Sequence, residues 1–411
     1  MTLNEIVNYL NGIAWGPWML ILLVGTGVYL SARVGFIQFA KFGYVMKNTI
    51  GKLFQKQTAG EGEVTPFQAL ATALAATVGT GNIAGVTGAI AVGGPGAVFW
   101  MWVSAFFGMV TNYSENVLGL YYRKKNENGE FSGGAFYYIA NGLKWKWLGY
   151  IAAVFCVLAA IGMSGVQTSK ISGSISSSLD QALHFNEQQF FIVKLIIGII
   201  VSAIAAIIII GGIKRIGRAS EIIAPFMGGA YILAGVAVIL LHIGQVPAAL
   251  VQIVKGAFDP AAVTGGAIGS MFVAMRYGVA RGIFSNEAGA GTAAMVHCGA
   301  KVDHPVEQGL WGAMEVFLDT VLVCLVSALT VVLSGLWNTG LDGAVLTMEA
   351  FELLLPGKIG LFIENPSKKS AIALAVVIYA IHNVAFYVLD VLFTSASAFV
   401  FHFGISFHIN G

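Results

Sequence analysis

The stretch Thr77-Val-Gly-Thr-Gly-Asn82 lies inside an apolar segment that covers residues 67–102. Its glycines, threonines and asparagine interrupt that segment where a transmembrane helix is normally most regular. Hydrocarbon offers no hydrogen bonds, so irregular backbone at membrane depth occurs only where it is buried in protein or lines a cavity. Broken helices present amides to anionic groups and free carbonyls to cations. The stretch therefore predicts a helix break with a ligand site. Close packing of two helices through small residues is the alternative.

The composition limits the class of protein. Of 411 residues, 57% are hydrophobic and 10% are charged, whereas soluble proteins carry about 25% charged residues. Many separate apolar runs of about 20 residues predict a polytopic α-helical membrane protein. Neither the net charge of +2 nor any basic tract indicates a nucleic-acid partner. The cysteines lack metal-ligand spacing and are interpreted as packing residues.

Polar loops and turns separate the apolar runs, and the first run is expected to be a retained helix because no basic n-region or cleavage site accompanies it. We predict spans at residues 15–32, 67–92, 97–121, 148–174, 190–212, 222–241, 265–298 and 309–336, an interfacial stretch at 245–260, an amphipathic surface helix at 347–363, and a last apolar run at 371–403. With the N-terminus outside, the loops near residues 40, 123, 215 and 301 are cytoplasmic. These loops hold most of the Lys and Arg residues, as the positive-inside rule requires.

The seventh predicted span contains a second irregular stretch, Arg276-Tyr-Gly-Val-Ala-Arg281-Gly-Ile-Phe-Ser-Asn286-Glu-Ala-Gly-Ala-Gly291-Thr. Each charge at the bilayer centre costs roughly 2.5–3.5 kcal/mol on insertion scales, so this segment cannot face lipid. We predict a break between Arg281 and Gly291, five spans after the first break. Two interrupted segments at corresponding positions of an inverted repeat are typical of a secondary transporter.

Other polar residues within the predicted spans allow weaker hypotheses. Gln167 either reaches a central site with its amide or makes an interhelical hydrogen bond. Asp319 and Thr320 are interpreted as partners of a buried arginine. Glu115 is expected to face the bundle interior or to snorkel to an edge, and not to touch a ligand. His297 is expected to be interfacial or to line a cavity.

Several motifs resemble those of one known family. They are Ala71-Thr-Ala-Leu-Ala-Ala-Thr-Val-Gly-Thr-Gly-Asn-Ile-Ala-Gly85, Gly93-Gly-Pro-Gly-Ala-Val-Phe-Trp-Met-Trp102, Gly211-Gly-Ile-Lys-Arg215, Arg281-Gly-Ile-Phe-Ser-Asn-Glu-Ala-Gly-Ala-Gly291 and His304-Pro-Val-Glu-Gln-Gly309. The sequence resembles the alanine/glycine:cation symporters, which are sodium-coupled amino-acid carriers, from about residue 10 to residue 360. The resemblance implies an all-α polytopic protein with a LeuT-like five-plus-five inverted-repeat bundle. One extra N-terminal span precedes that bundle, and its C-terminal end is expected to be truncated.

In this interpretation residues 1–411 form a single transmembrane domain. Residues 1–62 hold the extra helix and a basic loop, residues 63–243 the first repeat, and residues 244–411 an incomplete second repeat. The implied partners are sodium as the coupling ion, a small neutral amino acid (alanine or glycine) and the lipid bilayer. No other cofactor and no obligate protein partner are expected. The implied location is the plasma membrane of a prokaryote.

The resemblance also implies the site residues. Donors to the substrate carboxylate are expected from Thr80, Gly81 and Asn82. The amino group and short side chain of the substrate would face Phe284, Ser285 and Asn286, with Gln167 nearby. Sodium ligands are expected from the carbonyls of Ala75 and Val78, and from Thr77 and Asn82 at a second cation position.

The chain departs from the family pattern after about residue 361, where Glu364-Asn-Pro-Ser-Lys-Lys369 replaces a span that supplies sodium-ligating hydroxyls. Ser395 and Ser397 are candidate substitutes.

The sequence leaves two alternatives to an active carrier. One is an inactive, truncated remnant of a symporter. The other is an intramembrane serine protease that uses Gly162-Met-Ser-Gly165, with His297 or His382 as base.

Overall fold

The computed structural model describes residues 2–53, 63–79, 81–126, 129, 131–210, 212–258, 270–341 and 343–355. The predicted last apolar run, with Ser395 and Ser397, lies outside these residues, and so does Thr80. The α-helices are α1 Leu3–Ala14, α2 Pro17–Arg33, α3 Ile37–Ala40, α4 Phe42–Asn48, α5 Pro66–Thr77, α6 Val86–Gly93, α7 Gly96–Tyr121, α8 Ala135–Gly142, α9 Lys146–Leu183, α10 Glu187–Ile209, α11 Gly212–Leu241, α12 Val246–Phe258, α13 Ser270–Asn286, α14 Thr292–His297, α15 Pro305–Val316, α16 Cys324–Ser334 and α17 Gly343–Leu354. Two π-helices, Gly81–Gly85 and Phe317–Val323, and two 3₁₀ turns, Ile50–Lys52 and Leu336–Asn338, complete the helical structure. Strands β1 Lys124–Lys125 and β2 Phe131–Ser132 pair antiparallel.

Several described helices match the length of a bilayer. By length and composition, three helical segments are long and apolar enough to cross a membrane: Asn4–Arg33, Glu187–Ile207 and Pro305–Ser334. The number rises to five if each of two bent helix pairs counts as one span. Helix α7 matches the predicted span 97–121. It differs from the three segments above because it carries buried polar residues, among them Ser104 and Asn112.

The first predicted break is confirmed. Helix α5 begins with Pro66 at its first position, behind a capping box between Thr65 and Gln68. It ends at Thr77, and the backbone of Val78 is extended, with φ −74° and ψ 96°. The π-helix Gly81–Gly85 and α6 follow, and the two halves are bent by 53°.

The second break is also confirmed, over a narrower range than predicted. Helix α13 continues through Arg281 to Asn286. Glu287, Gly289 and Gly291 then adopt φ values of 52°, 97° and 78°, which lie in the left-handed region. This region is costly for side chains other than glycine, so the helix stops there and α14 begins at Thr292.

Close helix contacts place the second break beside the centre of the bundle. A side chain added at Gly278 would overlap the carbonyl oxygen of Ala97, and one added at Gly282 would overlap Ser104 Oγ. Helices α13 and α7 therefore meet at backbone distance, as small residues allow. Next to this contact, a core cluster includes the fully buried Ile90 and Met101.

Several predicted boundaries are wrong. The fourth span, predicted at 148–174, continues to Leu183 as α9. The basic residues Lys214, Arg215 and Arg218 were expected in a turn but belong to α11, which begins at Gly212; lysine and arginine are good helix formers. The amphipathic helix predicted at 347–363 begins at Gly343 as α17. Its Leu346 and Ala350 are fully buried in the core cluster, so one face of this helix packs inside the protein.

Candidate functional site

Asn82, in the first break, is fully buried. Its Oδ1 accepts a hydrogen bond of 2.8 Å from the backbone N–H of Gly79. In an uninterrupted helix that N–H would donate to the carbonyl of Ala75. The side chain of Asn82 therefore completes the broken turn and releases the Ala75 carbonyl from its usual partner.

The amide nitrogen of Asn82 reaches across the bundle to Asp319. It donates to Asp319 Oδ1 at 2.7 Å and to the backbone oxygen of Asp319 at 3.1 Å. Asp319 lies in the π-helix Phe317–Val323 and is fully buried. Helices of this kind are rare and often occur at functional sites. The first break is thus joined by hydrogen bonds to an irregular turn of the eighth span.

The second break supplies donors to the same carboxylate. Ser285 Oγ donates to Asp319 Oδ2 at 2.8 Å, and Thr320 Oγ1 donates to it at 2.7 Å. Asn286 Nδ2 donates to Thr320 Oγ1 at 3.1 Å, while its Oδ1 accepts the N–H of Ala288 at 3.0 Å. Asp319 therefore joins the two breaks through one amide and two hydroxyls, and charge-assisted hydrogen bonds of this type are strong.

An aromatic ring forms the boundary of this cluster. A side chain added at Gly81 would stand 3.6 Å from the ring of Phe284 and 3.6 Å from the Cα of Ser285. The Arg281 guanidinium carbon lies 4.9 Å from the centroid of the same ring. A Cβ at Gly85 would come within 2.8 Å of the Arg281 side chain. The space around the break therefore has little room for a large group.

Most of the predicted site residues come together. Gly81 and Asn82 of the first break face Phe284, Ser285 and Asn286 of the second through the contacts described above. The three residues predicted as sodium ligands before the break, Ala75, Thr77 and Val78, lie at or just beyond the end of α5 and are all buried. The Thr77 hydroxyl donates to the carbonyl of Ala73 at 3.2 Å.

The positions of two predicted site residues, Thr80 and the side chain of Gln167, lie outside what the structure describes. Thr80 lies outside the described residues. Gln167 is within α9, but its side chain is outside what the structure describes. Their proposed roles stay predictions.

Sequence reasoning missed the central role of Asp319. This residue was interpreted as a partner of a buried arginine, whereas its hydrogen bonds are made with Asn82, Ser285 and Thr320. The available signal was an acid next to a hydroxyl residue in an apolar span, a pattern that marks ion pathways. Glu115 faces the interior as predicted, and its Oε2 accepts from the N–H of Gly289 at 3.3 Å.

The cluster can bind a hard cation or an ammonium group. Carboxylate, amide and hydroxyl oxygens suit such ions, whereas soft or transition metals prefer sulfur and imidazole. Among the described residues, no group of three or more His, Cys, Asp or Glu side chains could hold a metal ion.

A comparison with known protein families agrees with the sequence motifs. The family model described as the sodium:alanine symporter family matches residues 1–399. The chain belongs to this family. Its members are transporters and not enzymes, so the intramembrane protease alternative is wrong. The family also implies an integral membrane protein that moves amino acids together with sodium.

Individual family members match over most of the chain. The sodium/alanine symporter AgcS of Methanococcus maripaludis is 43% identical over 365 residues, which are 87% of this chain and 77% of AgcS. The uncharacterized transporter YflA of Bacillus subtilis is 42% identical over 350 residues, covering 84% of this chain and 72% of YflA. The probable sodium/glutamine symporter GlnT of the same organism is 38% identical over 347 residues, covering 84% and 69%.

Proposed function

We propose that this symporter carries a small neutral amino acid, alanine or glycine, into the cell together with sodium by alternating access. The observation that carries the proposal is the Asp319 carboxylate, which holds Asn82 from the first break and Ser285 from the second. Because Asp319 bonds to both interrupted segments, a ligand that binds one segment would also affect the position of the other.

The substrate carboxylate would bind at the first break. Backbone amides at the start of a half-helix attract anionic groups. Gly81 and Asn82 lie at the start of the π-helix Gly81–Gly85, and Thr80 is the proposed third donor. The substrate's amino group would face Ser285 and Asn286. Phe284 and Ser285 pack against the Gly81 backbone, 3.6 Å from where a Cβ would stand, so we propose a ligand with a small side chain there. Gln167 is the proposed further contact.

Sodium would bind at the end of α5. The proposed ligands are the carbonyls of Ala75 and Val78, the Thr77 hydroxyl and Asn82. The Gly79 N–H bonds to Asn82 and not to the Ala75 carbonyl, which supports this assignment because backbone carbonyls at helix breaks are typical sodium ligands. The nearby Asp319 would add a negative charge that favours the cation.

A sodium gradient supplies enough energy for accumulation. One charge moving through 100 mV releases about 2.3 kcal/mol, and about 1.4 kcal/mol corresponds to a tenfold concentration ratio. One sodium ion per neutral amino acid would thus support roughly 40-fold accumulation from the voltage alone.

The proposed architecture is the LeuT-like inverted repeat, with repeats at residues 63–243 and 244–411 after an extra N-terminal helix. The break in α5–α6 and the break between α13 and α14 support it, since each interrupts the helix expected from the repeat. The proposed setting is the plasma membrane of a prokaryote with the N-terminus outside. No nucleic acid, no obligate protein partner and no cofactor beyond the coupling ion are proposed.

The test is uptake of radiolabelled alanine into proteoliposomes that contain the 411-residue chain, with and without an inward sodium gradient. We expect sodium-dependent accumulation that unlabelled alanine or glycine inhibits more strongly than glutamine. Stronger inhibition by glutamine would overturn the substrate class. If folded, inserted protein gives no sodium-dependent accumulation, the chain is the inactive remnant and the proposed function is wrong.

A further inference from the structure

The first span of the chain is interrupted at Trp15-Gly16-Pro17, between α1 and α2. Pro17 occupies the first position of α2, where its missing N–H costs no hydrogen bond. The backbone of Gly16 is extended, with φ −77° and ψ 165°. A Cβ at Gly16 would stand 2.8 Å from the carbonyl oxygen of Gly12, so a larger residue would strain this turn. The local sequence therefore explains why α1 ends at Trp15.

Within the part of the chain that the structure describes, packing of the first span against the bundle begins at Trp15. Residues 4–14 of α1 are all exposed. Trp15, in contrast, is half-buried, Gly16 is buried, and Leu20 is 7% exposed. The interruption thus separates an exposed helix from a helix that packs against the protein.

Close contacts determine where α2 lies. A Cβ at Gly27 would stand 2.8 Å from the carbonyl oxygen of Phe107 on α7. A Cβ at Gly289, in the second break, would stand 2.9 Å from the side chain of Leu23. Small residues allow such close approach between membrane helices. Helix α2 is therefore positioned against α7 and beside the second break.

In this position the Trp15 indole packs against Phe284, in the last turn of α13. The two ring centroids are 6.1 Å apart and the ring planes are inclined by 57°, within the range of attractive aromatic pairs. A Cβ at Gly81 would stand 3.6 Å from the same Phe284 ring. The guanidinium carbon of Arg281 lies 4.9 Å from its centroid. The Phe284 ring therefore has neighbours on the first span, on the first break and on its own helix.

These neighbours limit the orientation of the Phe284 ring in different ways. A side chain changes its rotamer only if the space for the new rotamer is free. Gly81 offers only backbone and Arg281 belongs to the same helix, whereas Trp15 is a large apolar neighbour from another span. Removal of the indole would leave space into which the Phe284 ring could turn away from Gly81. The first break would then accommodate a larger group.

We propose that Trp15 is a positioning residue that holds the Phe284 ring beside Gly81 and thereby limits the size of the substrate side chain. The inference rests on the proposed function, in which Phe284 faces the side chain of the amino acid. It gives the extra N-terminal span a part in the selection of the substrate.

The test compares selectivity in proteoliposomes that contain the full-length chain. Unlabelled leucine and unlabelled alanine each compete with the uptake of radiolabelled alanine, and the ratio of their inhibitory concentrations is measured. A single methylene group in a fitted pocket changes discrimination tenfold or more, so Trp15→Ala should lower the leucine-to-alanine ratio at least about tenfold. Trp15→Phe keeps an aromatic ring and should stay close to the unchanged chain. An unchanged ratio in Trp15→Ala would overturn the inference, because a purely structural defect weakens both amino acids equally.

Trp18→Ala is the matched control. Trp18 lies about one turn further along the same span and is 81% exposed, so its removal should leave the ratio unchanged. Equal shifts in Trp15→Ala and Trp18→Ala would overturn the inference, since they would assign the effect to the span as a whole. Trp15→Leu replaces Trp15→Ala if the latter does not fold. Leucine keeps an apolar side chain but lacks the ring, so the ratio should fall, and an unchanged ratio would overturn the inference.

Thermal unfolding of the ligand-free protein separates this inference from the proposed function. Substitutions of residues in contact are not additive, whereas those of distant residues are. The decreases in unfolding temperature of Trp15→Ala and Phe284→Ala should together exceed that of the double variant, while Trp18→Ala and Phe284→Ala should be additive. If the unchanged chain takes up no alanine but shows this non-additivity, the proposed function fails and the positioning role of Trp15 stands. Additive effects of Trp15→Ala and Phe284→Ala would overturn the inference whether or not the chain transports alanine.

Discussion

Asp319 and Glu315 lie one helical turn apart on the same span, and both are fully buried, yet their surroundings differ. Both carboxylate oxygens of Asp319 accept hydrogen bonds, from Asn82, Ser285 and Thr320. Glu315 Oε2 bonds to Asn112 and His297, and among the described residues its Oε1 has no partner. A satisfied buried network stabilises one arrangement, whereas a partly satisfied one is costly without a further ligand. The comparison indicates a fully satisfied junction at Asp319 and a partly satisfied carboxylate at Glu315.

The largest expected effect comes from removing the amides that join the breaks. Asn82→Ala and Asn286→Ala should each reduce sodium-dependent alanine uptake to background while expression is maintained. Asn82→Ala leaves Asp319 Oδ1 and the Gly79 N–H without their partner. Proteoliposome uptake measures the effect, and Asn141→Ala, an exposed asparagine of α8, is the control. Normal uptake in either variant would remove that residue from the site.

Ser285→Ala tests the second donor to Asp319. A hydrogen bond to a charged group contributes about 1.5–3 kcal/mol, so we expect roughly tenfold or greater loss of uptake at low sodium. Ser114→Ala is the matched control because this hydroxyl donates to the carbonyl of Val110 in its own helix. Equal sodium dependence of the two variants would show that the Ser285 hydroxyl is dispensable.

Gly282→Ala tests the close contact between α13 and α7. An added methyl group would overlap Ser104 Oγ and press on Met101, and overpacking of this kind costs typically 1–3 kcal/mol. We expect a lower thermal unfolding temperature in detergent. The control is Gly162→Ala on α9, where an added Cβ meets nothing within 4 Å; this change should be neutral or slightly stabilising, because alanine is the better helix former.

The smallest expected effect is a difference in stability between two variants of α7, Asn112→Ala and Asn116→Ala, near Glu315. In sodium-free buffer, Asn112→Ala should destabilise the protein by about 1–3 kcal/mol, since it removes a donor from Glu315. Asn116→Ala, which removes an unpartnered amide, should be nearly neutral. Thermal unfolding of both variants without sodium measures this difference. A larger loss for Asn116→Ala would contradict the assignment of its amide as unpartnered.

Local sequence predicted the two helix breaks. Glycines and polar residues at membrane depth mark irregular backbone wherever they occur, so both breaks could be predicted from short stretches. The ligand-binding roles of Asn82, Ser285 and Asn286 stay predictions that the family resemblance implies. The start of α11 could not be predicted, because basic residues at a helix start resemble a cytoplasmic turn when only polarity is considered.

The amino-acid sequence by itself determined that the chain is a helical membrane protein with two interrupted spans, since the energetic cost of unpaired backbone in lipid acts on each segment locally. Only the tertiary structure decided what the buried acids do. Asp319 bonds to Asn82, which is 237 residues away, and Glu315 bonds to Asn112, which is 203 residues away. The partners of a buried side chain depend on which helix faces touch, and no local pattern records that packing.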